Sequence, residues 1–429
     1  MTPAARIAAA IDLLDEIDAA PTRPADAVAS EFFRGRRYIG SQDRRAVSER
    51  VWHVLRGQRR LAWWLGDAPR TGRLLIAASL LLDGWTQDAV FEVFSGGRFA
   101  APPLNQGERA ALRPVAGHDW DHPSMPDAVR LEVPDWLLPL LRARFGAALA
   151  AEMAAMSEAA PLDLRVNLLK TTREQARAAL AAEGWESVPT RLSPWGLRIQ
   201  GRRPVTSGPA FQQGLVEIQD EGSQLVALMA GAAPGMRVVD LCAGAGGKTL
   251  ALASVMENRG QIVACDVSAT RLDGAVRRLR RAGVHNVERH LLVPGDKWAK
   301  RRAGGFDRVL VDAPCTGTGT WRRNPDARSR LTEADLSELV SKQADILETA
   351  QSLVRKGGRL VYATCSLLQE ENEAQVSAFL ARHPSFRVVP LREAWPASSP
   401  APNQGDYLSL TPARHGTDGF FTAVLERTA

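Results

Sequence analysis

The sequence predicts an α/β fold for the C-terminal half of the chain, in which a parallel sheet has helices on both faces. Two observations support this prediction. From about residue 213 onward, short apolar runs typical of strands alternate with amphipathic runs typical of helices. The run near 307–312 contains Val309, Leu310 and Val311 in unbroken succession, as expected for a strand buried on both faces.

Residues 1–150 are predicted to be all-helical. Ala5–Ile17 has apolar residues at helical spacing, and a second helix is predicted near Ser41, whose side chain we expect to cap it. Pro102–Pro134 is rich in Pro, Gly and Asp, which is typical of a connection. Asp135–Met156 again has the spacing of helical structure.

Positive charge is concentrated in this helical part. Residues 31–60 contain nine arginines and three acidic residues, a local balance of +6. A basic helical patch is typical of a phosphate-binding surface, although a solvated helix face explains the same charges. Trp52, Trp63 and Trp64 are expected in the core rather than in base stacking.

A small α+β unit is predicted at 151–212. Leu162–Leu168 and Gly196–Ile199 are typical of strands, and the helix Thr172–Ala182 is expected to begin at Thr171 or Thr172. Arg165 and Asn167 would project from one face of the first strand. Structural pairing and RNA contact explain these two residues equally well.

The remaining residues, 213–429, are predicted to form the α/β domain. Strands are expected near 236–241, 261–266, 287–292, 307–312 and 358–365, with a late strand at Gly419–Arg427, and a helix is expected at Arg271–Arg281. Ligands of such sheets bind beyond the carboxyl ends of the strands. Asp312 and Cys365 stand at two of these ends, and Cys315 follows Asp312 in a loop that Pro314 keeps from becoming helical.

Composition excludes several classes of protein. The chain of 429 residues is 24% charged and 45% apolar, with a net charge of +6, as in ordinary globular proteins. None of its four cysteines has C-x-x-C spacing, so neither a zinc site nor a disulfide framework is expected. The N-terminus lacks a signal pattern, and Leu74–Leu82 is too short to span a bilayer. We expect a cytoplasmic monomer with no membrane or metal partner.

A glycine-rich turn follows the first predicted strand of the α/β domain. It reads D-L-C-A-G-A-G-G-K-T from Asp240 to Thr249, and Asp266 ends the next strand, 20 residues after Gly246. That spacing places an acid near the ribose of a nucleotide cofactor. A phosphate-binding loop of an NTPase would need glycine where Cys242 stands. A dinucleotide-binding fingerprint would need a third glycine that this turn lacks. S-adenosylmethionine needs only the turn and the acid, so it fits.

Two thiols and an acid beside a methyl donor suggest methylation of carbon 5 of cytosine. That carbon is too weak a nucleophile until a thiolate adds to carbon 6, and an acid bound to ring nitrogen 3 stabilises the charge that develops. A base must then remove the carbon-5 proton so that the thiol can leave. Asp312, Cys315 and Cys365 supply these groups. Two inert buried cysteines are the plainer explanation.

The motifs together resemble those of the RNA cytosine-5 methyltransferases of the Nop/Sun family. The resemblance rests on D-L-C-A-G-A-G-G-K-T, F-D-R-V-L-V-D-A-P-C-T-G-T-G, Y-A-T-C-S with E-E-N-E, and D-G-F-F. Arg165-x-Asn167 and Gln219–Gln224 are similar to its N-terminal flank, and the segment near Gly40–Arg45 to the NusB-like RNA-binding domain of its bacterial, RsmB-like branch. The resemblance implies a Rossmann-like methyltransferase domain and small-subunit rRNA as partner.

The resemblance also implies residue roles. Cys365 is the nucleophile, Cys315 assists breakdown of the adduct, and Asp312 binds the cytosine and lies near the cofactor. Arg322, Arg323 and Asn324 contact RNA near a target base that is flipped out of its stack. S-adenosylmethionine is bound by the turn, by Asp312 and by Asp266 at its ribose; the turn residues are Cys242, Ala243, Gly244, Ala245, Gly246, Gly247 and Lys248.

Two departures from the family pattern stand out. The family's turn usually reads A-P-G-G-K, whereas Ala245 stands at the proline position here, which should loosen the turn. Leu291 and Leu292 stand where an adenine-binding acid is expected. Asp296 is a displaced candidate, so that contact stays unassigned.

Other functions remain open on the sequence alone. A DNA cytosine-5 enzyme would use only the Pro-Cys thiol, Cys315, and would not need Cys365. An amino-group methyltransferase would have a Pro-Pro-aromatic motif in place of Ala313–Cys315. A ribosome-assembly factor with a vestigial methyltransferase fold would bind RNA but not S-adenosylmethionine. The same chemistry on tRNA is a further alternative.

Overall fold

The structure, a computed structural model, describes residues 1–201, 204–396 and 400–429. The chain forms two compact units. The helical unit comprises Met1–Glu158 and Trp321–Thr332, and the α/β unit comprises Ala159–Thr320 and Glu333–Ala429. In the described ranges, no helix combines the length and the apolar character needed to cross a lipid bilayer.

The helical unit contains a large apolar core, to which α1 and α5 contribute many of the buried residues. Its first ten helices are α1 (Pro3–Asp18), α2 (Ala25–Gly35), α3 (Ser41–Arg56), α4 (Gln58–Leu65), α5 (Gly72–Leu82), α6 (Gln87–Val93), α7 (Gln106–Leu112), α8 (Asp127–Arg130), α9 (Leu138–Phe145) and α10 (Leu149–Ser157). Short 3₁₀ turns at Asp135–Leu137 and Gly146–Ala148 flank α9. Trp64 is buried, and Trp52 and Trp63 pack against the same core, as the sequence predicts.

Three details of this unit differ from the sequence-based expectations. The predicted connection Pro102–Pro134 contains α7 and α8, because Asn105 and Glu108 form a capping box and the prolines lie outside the helices. Ser41 does not cap α3: Gly40 is the N-cap, and Ser41 is the first helical residue. The helical run after 135 is divided, since Gly146 has φ 50 and ends α9.

The α/β unit begins with a small antiparallel sheet in the order β2-β3-β1-β4. Its elements are β1 (Leu162–Val166), α11 (Arg173–Ala182), β2 (Ser187–Pro189), β3 (Gly196–Ile199), a 3₁₀ turn at Val205–Ser207, α12 (Pro209–Gln212) and β4 (Val216–Ile218). Thr172 caps α11 through a capping box with Gln175, as predicted. The sequence did not reveal β2 or β4, since three residues are too few for a periodic signal.

Arg165 and Asn167 are structural in this sheet. Both side chains are buried. Arg165 Nε donates to Gln219 Oε1 at 2.7 Å, and Asn167 Nδ2 donates to the carbonyls of Gly214 and Ala282, each at 2.8 Å. Of the two explanations that the sequence left open, the structure favours internal pairing over RNA contact.

The large sheet has the order β10-β12-β9-β8-β5-β6-β7, with β11 paired to β12. From Glu221 onward the elements in chain order are α13 (Glu221–Met229), β5 (Arg237–Asp240), α14 (Gly247–Val255), β6 (Gln261–Asp266), α15 (Ala269–Ala282), β7 (Val287–Leu291), α16 (Trp298–Arg301), β8 (Phe306–Asp312), a 3₁₀ turn at Thr318–Thr320, α17 (Ala327–Arg330, which belongs to the helical unit), α18 (Glu333–Leu353), β9 (Val354–Thr364), α19 (Glu373–Arg382), β10 (Phe386–Val388), α20 (Leu391–Ala394), β11 (Leu408–Leu410), α21 (Pro412–His415) and β12 (Phe420–Arg427).

The topology of this sheet fixes where ligands can bind. Strands β9, β8, β5, β6 and β7 are parallel, and β12 runs antiparallel to β9. The chain continues from β5 to β6 on one side, while β8 and β9 lie on the other side of β5. A crevice therefore opens beyond the carboxyl ends of β5 and β8, where the strand order reverses. Asp240 and Asp312 end these two strands.

The segment Trp321–Thr332 belongs to the helical unit, although it follows the Cys315 loop in the chain. The Arg322 carbonyl accepts from Arg56 Nη2 at 3.2 Å, and the Arg323 carbonyl accepts from Trp52 Nε1 at 3.3 Å. The Arg322 side chain is only 5% exposed. Burial of this degree argues against the expected RNA contact by Arg322.

Candidate active site

The two cysteines lie together at the carboxyl edge of the large sheet. Strands β8 and β9 are parallel neighbours in which Asp312 pairs with Ala363, so Cys315 and Cys365 follow adjacent strand ends. Their sulfur atoms are 3.4 Å apart, and both residues are partly exposed. Cys365 stands one residue beyond the end of β9, where a prediction at 358–365 had included it in the strand.

The loops that contain these cysteines are joined by backbone contacts. Gly319 N donates to the Cys365 carbonyl at 2.9 Å, and Gly419 N donates to the Gly319 carbonyl at 2.8 Å. A Cβ atom on Gly319 would lie 2.4 Å from the Gly419 oxygen and 2.8 Å from the Cys365 oxygen. Glycine is therefore required at 319, since only a residue without a side chain permits this approach.

A buried polar network continues beneath the two thiols. The Ser366 hydroxyl lies 3.2 Å from both Thr316 Oγ1 and Thr318 Oγ1, and Leu367 N donates to Thr318 Oγ1 at 2.8 Å. Asn372 Nδ2 donates to the Ser366 carbonyl at 2.9 Å. These bonds satisfy the polar groups and hold both loops in one arrangement.

The hydrogen bond between the sulfurs distinguishes the two thiols. This bond, together with burial, raises the pKa of Cys315 well above its usual value, and the charge of Glu371 adds to the effect. The raised pKa favours the thiol form of Cys315, which would then be the donor in this hydrogen bond. A thiolate is the nucleophilic form of cysteine, so this difference favours Cys365 in that role.

The glycine turn lies beyond the end of β5, next to this thiol pair. Gly246 has φ 80 and caps α14, a backbone conformation that side chains disfavour. Ala243 N donates to the Cys265 carbonyl at 2.8 Å, which fastens the turn to β6. Asp266 accepts from Gly244 N and from Ser268 N, both at 2.8 Å. Asp266, which the sequence predicts to bind the cofactor ribose, thus also fixes the turn.

Lys248 connects the turn to the reaction site. Its Nζ lies 2.5 Å from Asp312 Oδ2 and 5.7 Å from the centre of the Phe420 ring. Burial lowers the pKa of Lys248, but the Asp312 carboxylate more than offsets this, so the pKa is raised. The ammonium therefore stays charged at neutral pH and orients Asp312 at the edge of the sheet.

Three carboxylates surround the turn. Burial and the charges of Asp312, Asp240 and Asp266 raise the pKa of the Cys242 thiol, in that order. Burial also raises the pKa of Asp240 to about 6, and its Oδ1 has no hydrogen-bond partner within the described residues. Among the residues that the structure describes, Lys248 is the only lysine or arginine that forms an ion pair with one of these acids. The surplus negative charge suits a cationic ligand, and S-adenosylmethionine contains a sulfonium cation.

Exposed apolar residues complete this side of the crevice, and sequence reasoning missed them. Val267 is 76% exposed, Val293 is 52% exposed and Leu291 is 39% exposed. Leu291 pairs with Asp266 across β6 and β7, which places it beside the predicted ribose acid. Apolar side chains here suit a flat adenine ring. The sequence signal that could have revealed them is the pair Leu291 and Leu292, which stands where an adenine-binding acid was expected.

Asp296 has other partners. One of its carboxylate oxygens lies 2.6 Å from His290 Nε2, and the other accepts from Trp298 N at 2.8 Å. It lines a cleft of about 580 Å³ with Arg237, Arg301 and Arg302. These contacts give no reason to assign Asp296 as an adenine ligand, so no acid is assigned to the adenine. Groups of three or more His, Cys, Asp or Glu side chains that could hold a metal ion do not occur in the described part of the chain.

Comparison with known families agrees with this geometry. Residues 228–426 match the family described as 16S rRNA methyltransferase RsmB/F. Residues 133–206 match the ferredoxin-like domain of RsmF/B-like methyltransferases. Ribosomal RNA small subunit methyltransferase B of Citrobacter koseri is 30% identical over 416 residues, which cover 90% of this chain and 91% of that protein.

The chain belongs to the RsmB/F family. The protein of the same name from Thermus thermophilus is 36% identical over 304 residues, 70% of this chain and 67% of that protein. A probable member from Synechocystis is 36% identical over 299 residues, 68% of this chain and 66% of that protein. Family membership confirms the prediction of the family and of S-adenosylmethionine as the methyl donor.

Solved structures confirm the Rossmann-like methyltransferase fold. The crystal structure of PH0851 is similar over 100% of this chain and 99% of its own, with a TM-score of 0.79 and 27% identity. A methyltransferase homologue from Pyrococcus horikoshii covers 72% of this chain and 100% of its own, with a TM-score of 0.62 and 29% identity. The NusB-like character of the helical unit and the roles of individual site residues stay predictions.

Arg278 supports the cofactor turn, and its role can be tested. Its Nη1 donates to the Ala245 carbonyl at 2.7 Å, and its Nη2 lies 3.5 Å from Glu217 Oε1. This contact restrains the position at which the family usually has proline. We expect Arg278→Met to weaken S-adenosylmethionine binding about tenfold, because a charge-assisted hydrogen bond to the turn is lost. Isothermal titration calorimetry without RNA measures this change.

The matched control is Arg280→Met, which removes an exposed arginine from the same helix. It should leave the dissociation constant within about twofold, the range of a neutral surface change. An unchanged affinity in Arg278→Met, or an equal loss in the control, would show that the turn does not depend on Arg278.

Proposed function

We propose that this protein transfers a methyl group from S-adenosylmethionine to carbon 5 of a cytosine in small-subunit rRNA, and that Cys365 attacks carbon 6 of the ring. The separation of 3.4 Å between the sulfurs of Cys315 and Cys365 is the main support. An enzyme that used only the Pro-Cys thiol would have no need of a second thiol at this distance. Two thiols in one crevice suit a reaction in which one forms the adduct and the other assists its breakdown.

The first step is addition of the Cys365 thiolate. Its electron pair forms a bond to carbon 6, and the ring electrons move toward ring nitrogen 3 and carbon 5. Asp312 in its protonated form would donate a hydrogen bond to ring nitrogen 3, where negative charge develops. Lys248 donates to Asp312 Oδ2 from the cofactor side, so the acid is oriented before the substrate arrives.

The second step is methylation and release. When bound, S-adenosylmethionine supplies an electrophilic methyl group to carbon 5. A base then takes the proton from carbon 5, the carbon 5–carbon 6 double bond forms again, and Cys365 leaves with the electrons of its bond to carbon 6. Cys315, which donates a hydrogen bond to the Cys365 sulfur, would stabilise the departing thiolate. We also propose that residues 242–248, Asp266 and Asp312 contact S-adenosylmethionine.

Small-subunit rRNA is the proposed substrate because of the relatives. The proteins from Citrobacter koseri and Thermus thermophilus are both named ribosomal RNA small subunit methyltransferase B, and the first aligns over 91% of its length. We propose three parts: helical residues 1–150, the small unit 151–212, and the methyltransferase domain 213–429. The fourth strand of the small sheet, β4, lies just inside the third part.

The cysteine roles predict a trapped intermediate. In Cys315→Ala the adduct should form but break down slowly, so a covalent RNA–protein species should accumulate on a denaturing gel with small-subunit rRNA and S-adenosylmethionine. Adding Cys365→Ala should abolish that species, because no thiolate remains to attack carbon 6. The measurement is the fraction of protein shifted to higher mass.

Cys265→Ala is the matched control, since Cys265 is buried in β6 and should trap nothing. An adduct that survives in the double variant would contradict the assignment of Cys365. Trapping on tRNA but not on small-subunit rRNA would show that the chemistry is right and the substrate is wrong.

We propose that the helical unit contributes to RNA binding through fewer arginines than the sequence count suggests. Six of the nine arginines in residues 31–60 donate hydrogen bonds to other residues of the unit. They are Arg36, Arg44, Arg50, Arg56, Arg59 and Arg60. Arg34 and Arg37 are exposed and have no hydrogen bond or ion pair within the described residues. Tyr38 beside them is 76% exposed. Two cations and an aromatic ring suit an RNA strand.

The double variant Arg34→Ala with Arg37→Ala should therefore bind rRNA more weakly and with less dependence on salt. Loss of two phosphate contacts should reduce the slope of log affinity against log salt by about 1.5. Filter binding at several salt concentrations measures this slope. The control, Arg98→Ala with Arg113→Ala, removes two exposed arginines elsewhere in the unit. An equal slope in both variants would argue against a local RNA site.

A further inference from the structure

Glu371 is a buried acid to which the proposed reaction assigns no role. Its side chain is 0% exposed. Its Oε1 accepts from Thr316 N at 2.8 Å and from Gln343 Nε2 at 2.9 Å, and its Oε2 accepts from Thr316 Oγ1 at 2.5 Å. All three hydrogen bonds are donated to the carboxylate, which is the pattern that an ionised acid requires. No lysine or arginine pairs with it among the described residues.

These bonds hold both neighbours of Cys315. Thr316 donates twice to the carboxylate, and Gln343 donates to the Pro314 carbonyl at 2.9 Å as well as to Glu371. The backbone of Glu371 is fixed in turn, since its carbonyl accepts from Tyr362 Oη at 2.6 Å. The Cys315 thiol is therefore held from both sides by a single buried negative charge and its partners.

A positive charge lies on the other side of the thiol pair. The Lys248 ammonium contacts Asp312 and lies near the Phe420 ring. Phe420 begins β12, and the next residue, Phe421, pairs with Thr364, which directly precedes Cys365. The charge of Cys365 is among those that raise the pKa of Lys248, after that of Asp312. Cys365 therefore has an ammonium close by, while Cys315 has a carboxylate.

We propose that Glu371 is a positioning residue that decides which of the two cysteines is the nucleophile. It fixes the Cys315 loop through Thr316 and Gln343, and its negative charge keeps Cys315 a thiol, so that the thiolate forms at Cys365 on the Lys248 side. Only the consequence of this proposal for catalysis rests on the proposed function. The asymmetry of the two thiols is a property of the protein without RNA or cofactor.

Other titratable groups lie around the site on the surrounding elements. They are the same in wild type and in a Glu371 variant, so the comparison isolates one charge. These groups are Asp240, Cys242 and Lys248 from β5 and the turn, Asp266 from β6, Asp312 from β8, Lys342 from α18 and Tyr362 from β9.

Selective alkylation tests the proposal. Full-length protein without RNA or cofactor is treated with iodoacetamide at several pH values, and the rates at Cys315 and Cys365 are measured by mass spectrometry of their peptides. In wild type, Cys365 should react faster than Cys315 at pH 8. In Glu371→Gln, which keeps an oxygen acceptor but removes the charge, the rate at Cys315 should rise about tenfold, the effect of one pKa unit on thiolate content.

The matched control is Glu370→Gln, a change of the same kind at the preceding residue, which has no hydrogen bond or ion pair in the described structure. It should leave both rates unchanged. Thermal melting reports whether each variant is folded. Should Glu371→Gln not fold, Lys248→Met tests the opposite side: the rate at Cys365 should fall while that at Cys315 stays the same.

Two results would overturn the proposal. One is a faster reaction at Cys315 than at Cys365 in wild type. The other is an unchanged ratio of the two rates in folded Glu371→Gln, or in folded Lys248→Met if that variant is used. Neither result depends on methylation of RNA. The proposed function can therefore fail, by an absence of adduct on any RNA, while the alkylation result still decides the role of Glu371.

Discussion

The pairing of β8 with β9 is the constraint on which the site depends. Because these strands are parallel neighbours, the loops that follow them begin at the same edge of the sheet, and the sulfurs of Cys315 and Cys365 meet at 3.4 Å. The Gly319 contacts then hold the two loops together. The glycine turn lies beyond β5 on the other side of β8, so one crevice contains the thiols, Asp312 and the cofactor turn.

Charge is arranged around this crevice with few compensating partners. Asp240, Asp266 and Asp312 surround the turn, and in the described ranges only Asp312 has an ammonium partner, Lys248. A buried carboxylate is costly unless hydrogen bonds satisfy it. Glu371 meets that requirement through Thr316 and Gln343. Such a network rigidifies the protein when it is complete, which suits loops that must present two thiols in fixed positions.

Much of the α/β unit could be predicted from the sequence, because its signals are local. The unbroken apolar run before Asp312 indicated a buried strand, and the glycines before Lys248 indicated a turn between a strand and a helix. The capping box at Thr172 was likewise visible as a short motif. The adjacency of β8 and β9 was only a possibility at that stage, since strand order depends on contacts distant in the chain.

The errors of the sequence analysis have physical causes. Pro102–Pro134 contains α7 and α8 because tertiary packing and a capping box outweigh a composition typical of loops. Most of the arginines in residues 31–60 contact their own unit, which no count of charges can reveal. Arg322 is buried although it is charged, and Glu371 gave no sign of its burial within a run of acidic residues.

Trapping with 5-fluorocytidine is the most direct test of the central claim, that Cys365 forms the covalent bond to the base. In 5-fluorocytidine, fluorine replaces the carbon-5 proton that the base must remove. An adduct formed with substituted small-subunit rRNA and S-adenosylmethionine therefore cannot be released. After digestion, mass spectrometry locates the cysteine attached to the nucleotide. We predict that it is Cys365 alone. Attachment at Cys315, or no covalent adduct with any substituted RNA, would contradict this account.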